Sequence, residues 1–204
     1  MNMIDISHVL DNNTPVFPGD YKTSLSVYRT MSKDYYNSYL LQSCLHTGTH
    51  IDMPMHLVND ERTAADFPLD DFCGHGVLLD VRGENPIEMK SSYEGMIHER
   101  DIVLLFTGWD AKFETDEYFS GHPGISDVFG DFLVSKRIKI LGMDTPSPDH
   151  TPYTIHKKLL ESGIFVLENL AKLRRLTGIG GFEVMALPLK ISAEASLVRA
   201  VCVY

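Results

Sequence analysis

The sequence predicts a mixed, strand-rich α/β fold, and three features of its 204 residues lead there. Short runs of β-branched and aromatic residues, bounded by turn residues, crowd the first half of the chain. Helical periodicity is sparse and comes late. Near residue 150 a strand, a helix and a second strand follow one another in the order of a parallel β-α-β unit. Hydrophobic residues make up 44% and charged residues 23%, which excludes a disordered chain and leaves ample material for a core. No repeat, low-complexity tract or linker-like stretch interrupts the sequence, so residues 1–204 are expected to form one domain.

Taken in order, Leu25 to Arg29, Tyr39 to Leu45, Gly76 to Val81 and Val103 to Phe106 read as strands. Pro18-Gly19-Asp20, Gly83-Glu84-Asn85-Pro86 and Thr107-Gly108 supply turns. Pro86 precedes Ile87 to Arg100, whose apolar residues recur loosely at helical spacing, and a helix is expected there. Ser126 is placed as the N-cap of a second helix over Asp127 to Lys136. The β-α-β unit comprises Ile138 to Met143, a helix over Pro152 to Ser162 stopped by Gly163, and Ile164 to Leu167. Leu197 to Tyr204 reads as a buried terminal strand.

The charge balance is acidic, with 18 Lys and Arg against 28 Asp and Glu, which argues against a nucleic-acid partner because phosphate contacts need concentrated basic residues. The first residues lack a basic n-region and a long apolar h-region, and no apolar run approaches about 18 residues, so a soluble cytoplasmic protein without a membrane partner is expected. Cys44, Cys73 and Cys202 are odd in number, widely spaced and without a CxxC pair. They suggest reduced, mostly buried thiols rather than a disulfide framework or a thiolate zinc site.

Three of the nine histidines fall in one stretch, His46-Thr47-Gly48-Thr49-His50-Ile51-Asp52-Met53-Pro54-Met55-His56. β-branched residues, Gly48 and Pro54 disfavour a helix here. On an extended segment, His46, His50 and Asp52 would point to one face, with Gly48 leaving room between them. Two imidazoles and a carboxylate suit zinc, manganese or iron, with zinc favoured, and three protein ligands leave a position open for water as catalytic sites do. His56 lies past the bend at Pro54, close to such a site without sharing its register. It reads as a general acid/base, its ordinary pKa being about 6.5, with a fourth ligand or a hydrogen-bonding neighbour of the ligands as alternatives. His156 lies early on the later helix and Glu168 just past the following strand. Alone, either would be an ordinary surface residue. Beside Asp52, they could hold another ion through its second oxygen, the two-metal geometry of hydrolases.

The stretch from His46 to His56 resembles the signature of the cyclase family of metal-dependent hydrolases, which includes bacterial kynurenine formamidases. Asp5-Ile6-Ser7 with Thr14-Pro15-Val16-Phe17-Pro18-Gly19-Asp20 resembles the family's opening segment, and Asp144-Thr145-Pro146-Ser147-Pro148-Asp149 resembles its second loop. The resemblance implies a swivelling β/β/α domain, a homodimer and two divalent ions per chain. It places His46, His50 and Asp52 on one ion, Asp52, His156 and Glu168 on the other, and His56 as acid/base. It further implies hydrolysis of a small-molecule amide, with N-formylkynurenine favoured and a cyclic imide, lactam or lactone as the alternative. A metal-binding protein without turnover is the reading from another class, and a retained free base at His56 speaks against it. Phe17 and Trp109 are aromatics that could stack on an aryl substrate. Met53, Met55 and Ile155 depart from the family pattern, Ile155 standing where formamidases commonly carry a second histidine, which leaves substrate identity open.

Overall fold

The fold is described here from a computed structural model covering residues 2–204. In chain order its elements are β1 (Met3–Asp5), β2 (Ser24–Arg29), α1 (Met31–Asp34), β3 (Ser38–Gln42), β4 (His50–Asp52), β5 (Cys73–Asp80) and β6 (Ile102–Phe106). They continue with α2 (Asp127–Lys136), β7 (Ile140–Met143), α3 (Thr154–Glu161), β8 (Phe165–Glu168), β9 (Phe182–Met185), β10 (Ala195–Leu197) and β11 (Val201–Val203). Nine strands form one sheet in the order β1-β11-β9-β5-β6-β7-β8-β4-β10, and β2 pairs with β3 as a separate ribbon. The four central strands, β5 to β8, run parallel, while the flanking pairs are antiparallel. This is the strand-rich mixed α/β class that the sequence predicts.

Strand periodicity sorts the core into two layers. From β6, Ile102, Leu104 and Phe106 enter one apolar cluster with Ile51, Phe165 and Leu167. The alternate residues Val103 and Leu105 enter the other, together with Val166 and with Phe129, Leu133, Ile155, Leu159 and Leu160 from α2 and α3. The two longer helices therefore cover one face of the sheet. α2 begins where expected, with Ser126 Oγ accepting a hydrogen bond from Phe129 N at 3.3 Å.

Four expectations need correction. Ile87 to Arg100 forms no α-helix; it contains only a 3-10 turn over Ser91–Gly95. Its apolar spacing reflects three anchors, Ile87, Tyr93 and Ile97, that pin an irregular segment to the core, with Ile87 bridged to Ile125. The terminal strand is split, because β10 pairs with β4 at one edge of the sheet while β11 pairs with β9 and β1 near the other. β3 stops at Gln42, short of Leu45. β8 extends to include Glu168. Cys202 is buried and Cys44 and Cys73 are half-buried, all three free. Among the described residues no helix is long and apolar enough to cross a membrane.

The buried Asp144 at the end of β7 ties β7 to β6. Its Oδ1 accepts from Thr107 N at 2.9 Å and from Thr107 Oγ1 at 2.6 Å, and its Oδ2 accepts from Gly108 N at 2.8 Å. Removing the carboxylate leaves half-buried donors on Thr107 and Gly108 without their acceptor, so Asp144→Ala is expected to lower unfolding free energy by about 1–3 kcal/mol. Urea denaturation checks this, and a loss below about 0.5 kcal/mol would show that water replaces the acceptor freely.

Candidate active site

Pairing between β4 and β8 puts His50 opposite Glu168 in the antiparallel register. Side chains of opposed residues stand on the same face, which here is the helix-covered one, since the intervening Ile51 and Leu167 point to the other layer. Asp52 follows His50 on that face by the period of two. α3 then adds His156 from its first turn. Asp149 Oδ2 accepts from Ile155 N at 2.7 Å and so holds the N-terminal end of that helix.

His46 also reaches the site, though by a different route from the one expected. Only His50–Asp52 is strand, and Gly48 at φ +61° turns the chain just before it. His46 therefore approaches from a turn rather than along an extended register, and a side chain at Gly48 would strain that turn. His56 ends a 3-10 turn over Pro54–His56, with its ring centroid 4.2 Å from that of His46 and 5.5 Å from that of His156.

The donor atoms converge on Asp52. Its Oδ1 lies 2.9 Å from His46 Nδ1 and 3.5 Å from His50 Nε2, and its Oδ2 lies 3.3 Å from His156 Nε2. Glu168 closes the other side, with Oε2 3.3 Å from His50 Nε2 and Oε1 3.7 Å from His156 Nδ1. His46, Asp52 and His56 offer ligand atoms within 4.8 Å of one another, as do His50, Asp52 and Glu168. These contacts are close without being aligned for hydrogen bonding. His50 Nε2, both Asp52 oxygens, His156 Nε2 and Glu168 Oε1 are buried with no hydrogen-bond partner. Buried polar atoms are normally paired, so an unpaired group of five aimed at one space fits a set of divalent-cation ligands.

The electrostatics agree. Burial alone would drive the histidines neutral, yet the charge of Asp52 lifts His46 to about 10, and Asp52 and Glu168 raise His50 and His156. Burial pushes Asp52 up, but the surrounding imidazoles outweigh it and hold the carboxyl well below its ordinary value. Glu168 is raised by burial and by the negative charge of Asp52. His56 differs, being pushed down to about 4 mainly by burial, with Asp52 only partly offsetting this. Two buried carboxylates thus draw positive charge to the histidines around them, the charge a metal ion would carry instead.

His50 has an oriented ring. Its Nδ1 lies 2.8 Å from Gly48 O, which can only accept, so in the neutral ring Nδ1 carries the proton and Nε2 presents a lone pair to the cluster. Above these residues is a pocket of about 280 Å³ walled by Phe17, Leu57, Phe119, Pro146 and Tyr153. Phe17 and Phe119 meet edge to face with centroids 5.8 Å apart. Trp109, the other aromatic considered for substrate stacking, does not line the pocket; its indole donates to Tyr118 O at 2.9 Å. The departures from the family pattern also avoid the pocket, since Met53 and Ile155 are core residues and Met55 points to solvent.

Sequence reasoning missed Glu194 and Asn169. Glu194 Oε1 lies 3.4 Å from His46 Nε2, delivered by the pairing of Ala195 with Asp52. No spacing rule could place residue 194 beside residue 46.

Residues 4–150 match the family described as a putative cyclase. The chain belongs to the cyclase family. It is 34% identical to the kynurenine formamidase of Bacillus cereus, an alignment covering 97% of this chain and 95% of that one. It is also 32% identical to the kynurenine formamidase of Salinibacter ruber over 98% of this chain and 97% of the relative. Among solved structures, an isatin hydrolase bound to the product analogue thioisatinate superposes with a TM-score of 0.88 at 21% identity, covering 99% of this chain and 92% of the other. This cyclase-family chain thus shares its fold with hydrolases from end to end.

Proposed function

We propose that this protein is a metal-dependent amide hydrolase, an arylformamidase that cleaves N-formylkynurenine to kynurenine and formate. The observation carrying the reading is Asp52, whose two unpaired oxygens face different histidines in a buried cluster beneath an aromatic-walled pocket. Curated relatives with the kynurenine formamidase name, aligned over nearly the whole chain, support the substrate. The whole of residues 1–204 would act as one hydrolase domain.

His46, His50 and Asp52 would hold one divalent ion, and Asp52, His156 and Glu168 the other, with zinc favoured over manganese or iron. Ions held there supply a water of lowered pKa and polarise the amide carbonyl. The remaining steps fall to the chain. Phe17 and Phe119 clasp the aryl ring and, with Leu57, exclude bulk water. A ring nitrogen of His56 takes the proton of the attacking water as the new C–O bond forms at the formyl carbon. The same nitrogen returns the proton to the aryl amine as the C–N bond breaks, so the free amine leaves with formic acid, which gives its proton to solvent and becomes formate. Glu194 and Asp52 flank His46 and keep its ring in place.

The exposed apolar residues of the β2–β3 ribbon, Val27, Tyr28, Tyr39, Leu40 and Leu41, support a homodimer. The test begins with protein stripped by a chelator and reloaded with zinc or manganese. About two ions per chain and turnover of N-formylkynurenine are expected, in a particle that sediments as a dimer. A ceiling of one ion would remove Asp52 from its bridging role. Full binding with hydrolysis of cyclic imides or lactones alone would move the assignment to those substrates.

A further inference from the structure

Asn169 follows Glu168 directly and belongs to no proposed ligand set, yet it is buried and tied on every side. Its backbone sits in the left-handed region at φ +55°, which turns the chain immediately after β8. Its N–H donates to Thr145 O at 3.0 Å, and its carbonyl accepts from Thr49 Oγ1 at 2.6 Å. Its side-chain Nδ2 donates to Gly48 O at 2.9 Å, the same carbonyl that faces His50 Nδ1. The fully buried Tyr118 donates its hydroxyl to Asn169 Oδ1 at 2.8 Å. Gly48 O can only accept, so Nδ2 is the end of the amide that faces it, and Oδ1 is left to accept from Tyr118.

From this chain of bonds we propose that Asn169, oriented by Tyr118, is a positioning residue that holds the Gly48 carbonyl against His50 and thereby keeps the unprotonated Nε2 turned to the metal cluster. The inference rests on the hydrolase reading above. Asn169 Nδ2 also lies 3.3 Å from His50 Nδ1, but Nδ1 donates to Gly48 O and so cannot accept from it; Asn169 acts through that carbonyl, whose two lone pairs serve Nδ2 and His50 Nδ1. Without that donor, the Gly48 carbonyl loses one of the two groups that fix the plane of its peptide. His50 then loses the partner that sets both its tautomer and its ring plane. Such outer contacts on a ligating histidine are worth about 10- to 100-fold in metal affinity.

Asn169→Gly is the informative variant, because glycine accepts the left-handed backbone and only the side chain is lost. Zinc affinity, measured by competition with a chelating indicator, is expected to fall about 10- to 100-fold in Asn169→Gly. Tyr118→Phe, which deletes a single hydroxyl, should weaken zinc several-fold in the same direction. The double variant should bind zinc no more weakly than Asn169→Gly, since Tyr118 works through Asn169. In the zinc-loaded protein the His50 Nδ1 proton, followed by NMR, should exchange with solvent faster in both variants. Wild-type zinc affinity and unchanged Nδ1 exchange in folded Asn169→Gly would overturn the proposal. Should that variant fail to fold, the same two results in Tyr118→Phe would overturn it. A wild-type protein that binds no zinc at all would instead remove the hydrolase reading, and this inference with it.

Discussion

Asp52→Ala is expected to lose both metal ions and to lower kcat/KM on the order of 10³-fold or more, the worth of several kcal/mol of transition-state stabilisation. Asp52 is the carboxylate of the cluster with both oxygens buried and unpaired, and it faces three imidazoles, Oδ1 toward His46 and His50 and Oδ2 toward His156. Losing it strips a shared anionic ligand from both positions at once. Glu168→Ala is the control, because Glu168 belongs to one proposed position only and should cost one ion while His46 and His50 keep the other. Elemental analysis after reconstitution separates the two outcomes. Asp52→Ala that retains one ion at wild-type affinity would show two independent sites, with no bridging carboxylate between them. The variant should still fold, since His50 and His156 keep Glu168 as a partner. Circular dichroism and chemical denaturation of the metal-free proteins verify that the loss is local.

Which parts of this arrangement were readable in the sequence follows from how local their causes are. α2 was legible because Ser126 and the first turn it caps are neighbours in sequence. The β-α-β unit was legible for the same reason, each element being bounded by its own turn residues. The segment from Ile87 to Arg100 misled because anchors of an irregular loop can mimic a helical spacing over two or three repeats. Leu197 to Tyr204 misled because apolar character is shared by strands at both edges of the sheet, and nothing local records the crossing between them. At the site, His50 and Asp52 obeyed the two-residue period. His46 reached the same cluster through the turn at Gly48, so the residue was foreseen and its path was not. His156 and Glu168 depended on family resemblance, and their approach to Asp52 comes from the pairing of β8 with β4 and the packing of α3. Glu194 and Asn169 carried no signal, because their roles exist only once β10 and the end of β8 lie against β4.

His56→Ala separates proton transfer from metal binding, and the geometry makes the separation sharp. His56 Nδ1 or Nε2 falls within ligand reach of His46 and Asp52, so proximity permits either role. Two observations favour the acid/base. The ring stands on the 3-10 turn after Pro54, outside the β4 face that carries His50 and Asp52. Burial pushes its pKa down to about 4 and keeps the ring neutral, which suits a ligand and a base alike. It also lines the pocket beside Leu57, where substrate would lie. A neutral ring with a free lone pair at that position is able to take a proton from water and return it to the leaving nitrogen. His56→Ala is therefore expected to keep two ions and near wild-type thermal stability while turnover falls by about 10²- to 10⁴-fold. His56→Gln, which restores hydrogen bonding without proton transfer at neutral pH, should recover little of that loss. Metal content and rate are read on the same sample. If an ion leaves with the side chain, His56 is a ligand and the proton must travel by another group; if both ions and near-normal turnover remain, the water is deprotonated without it.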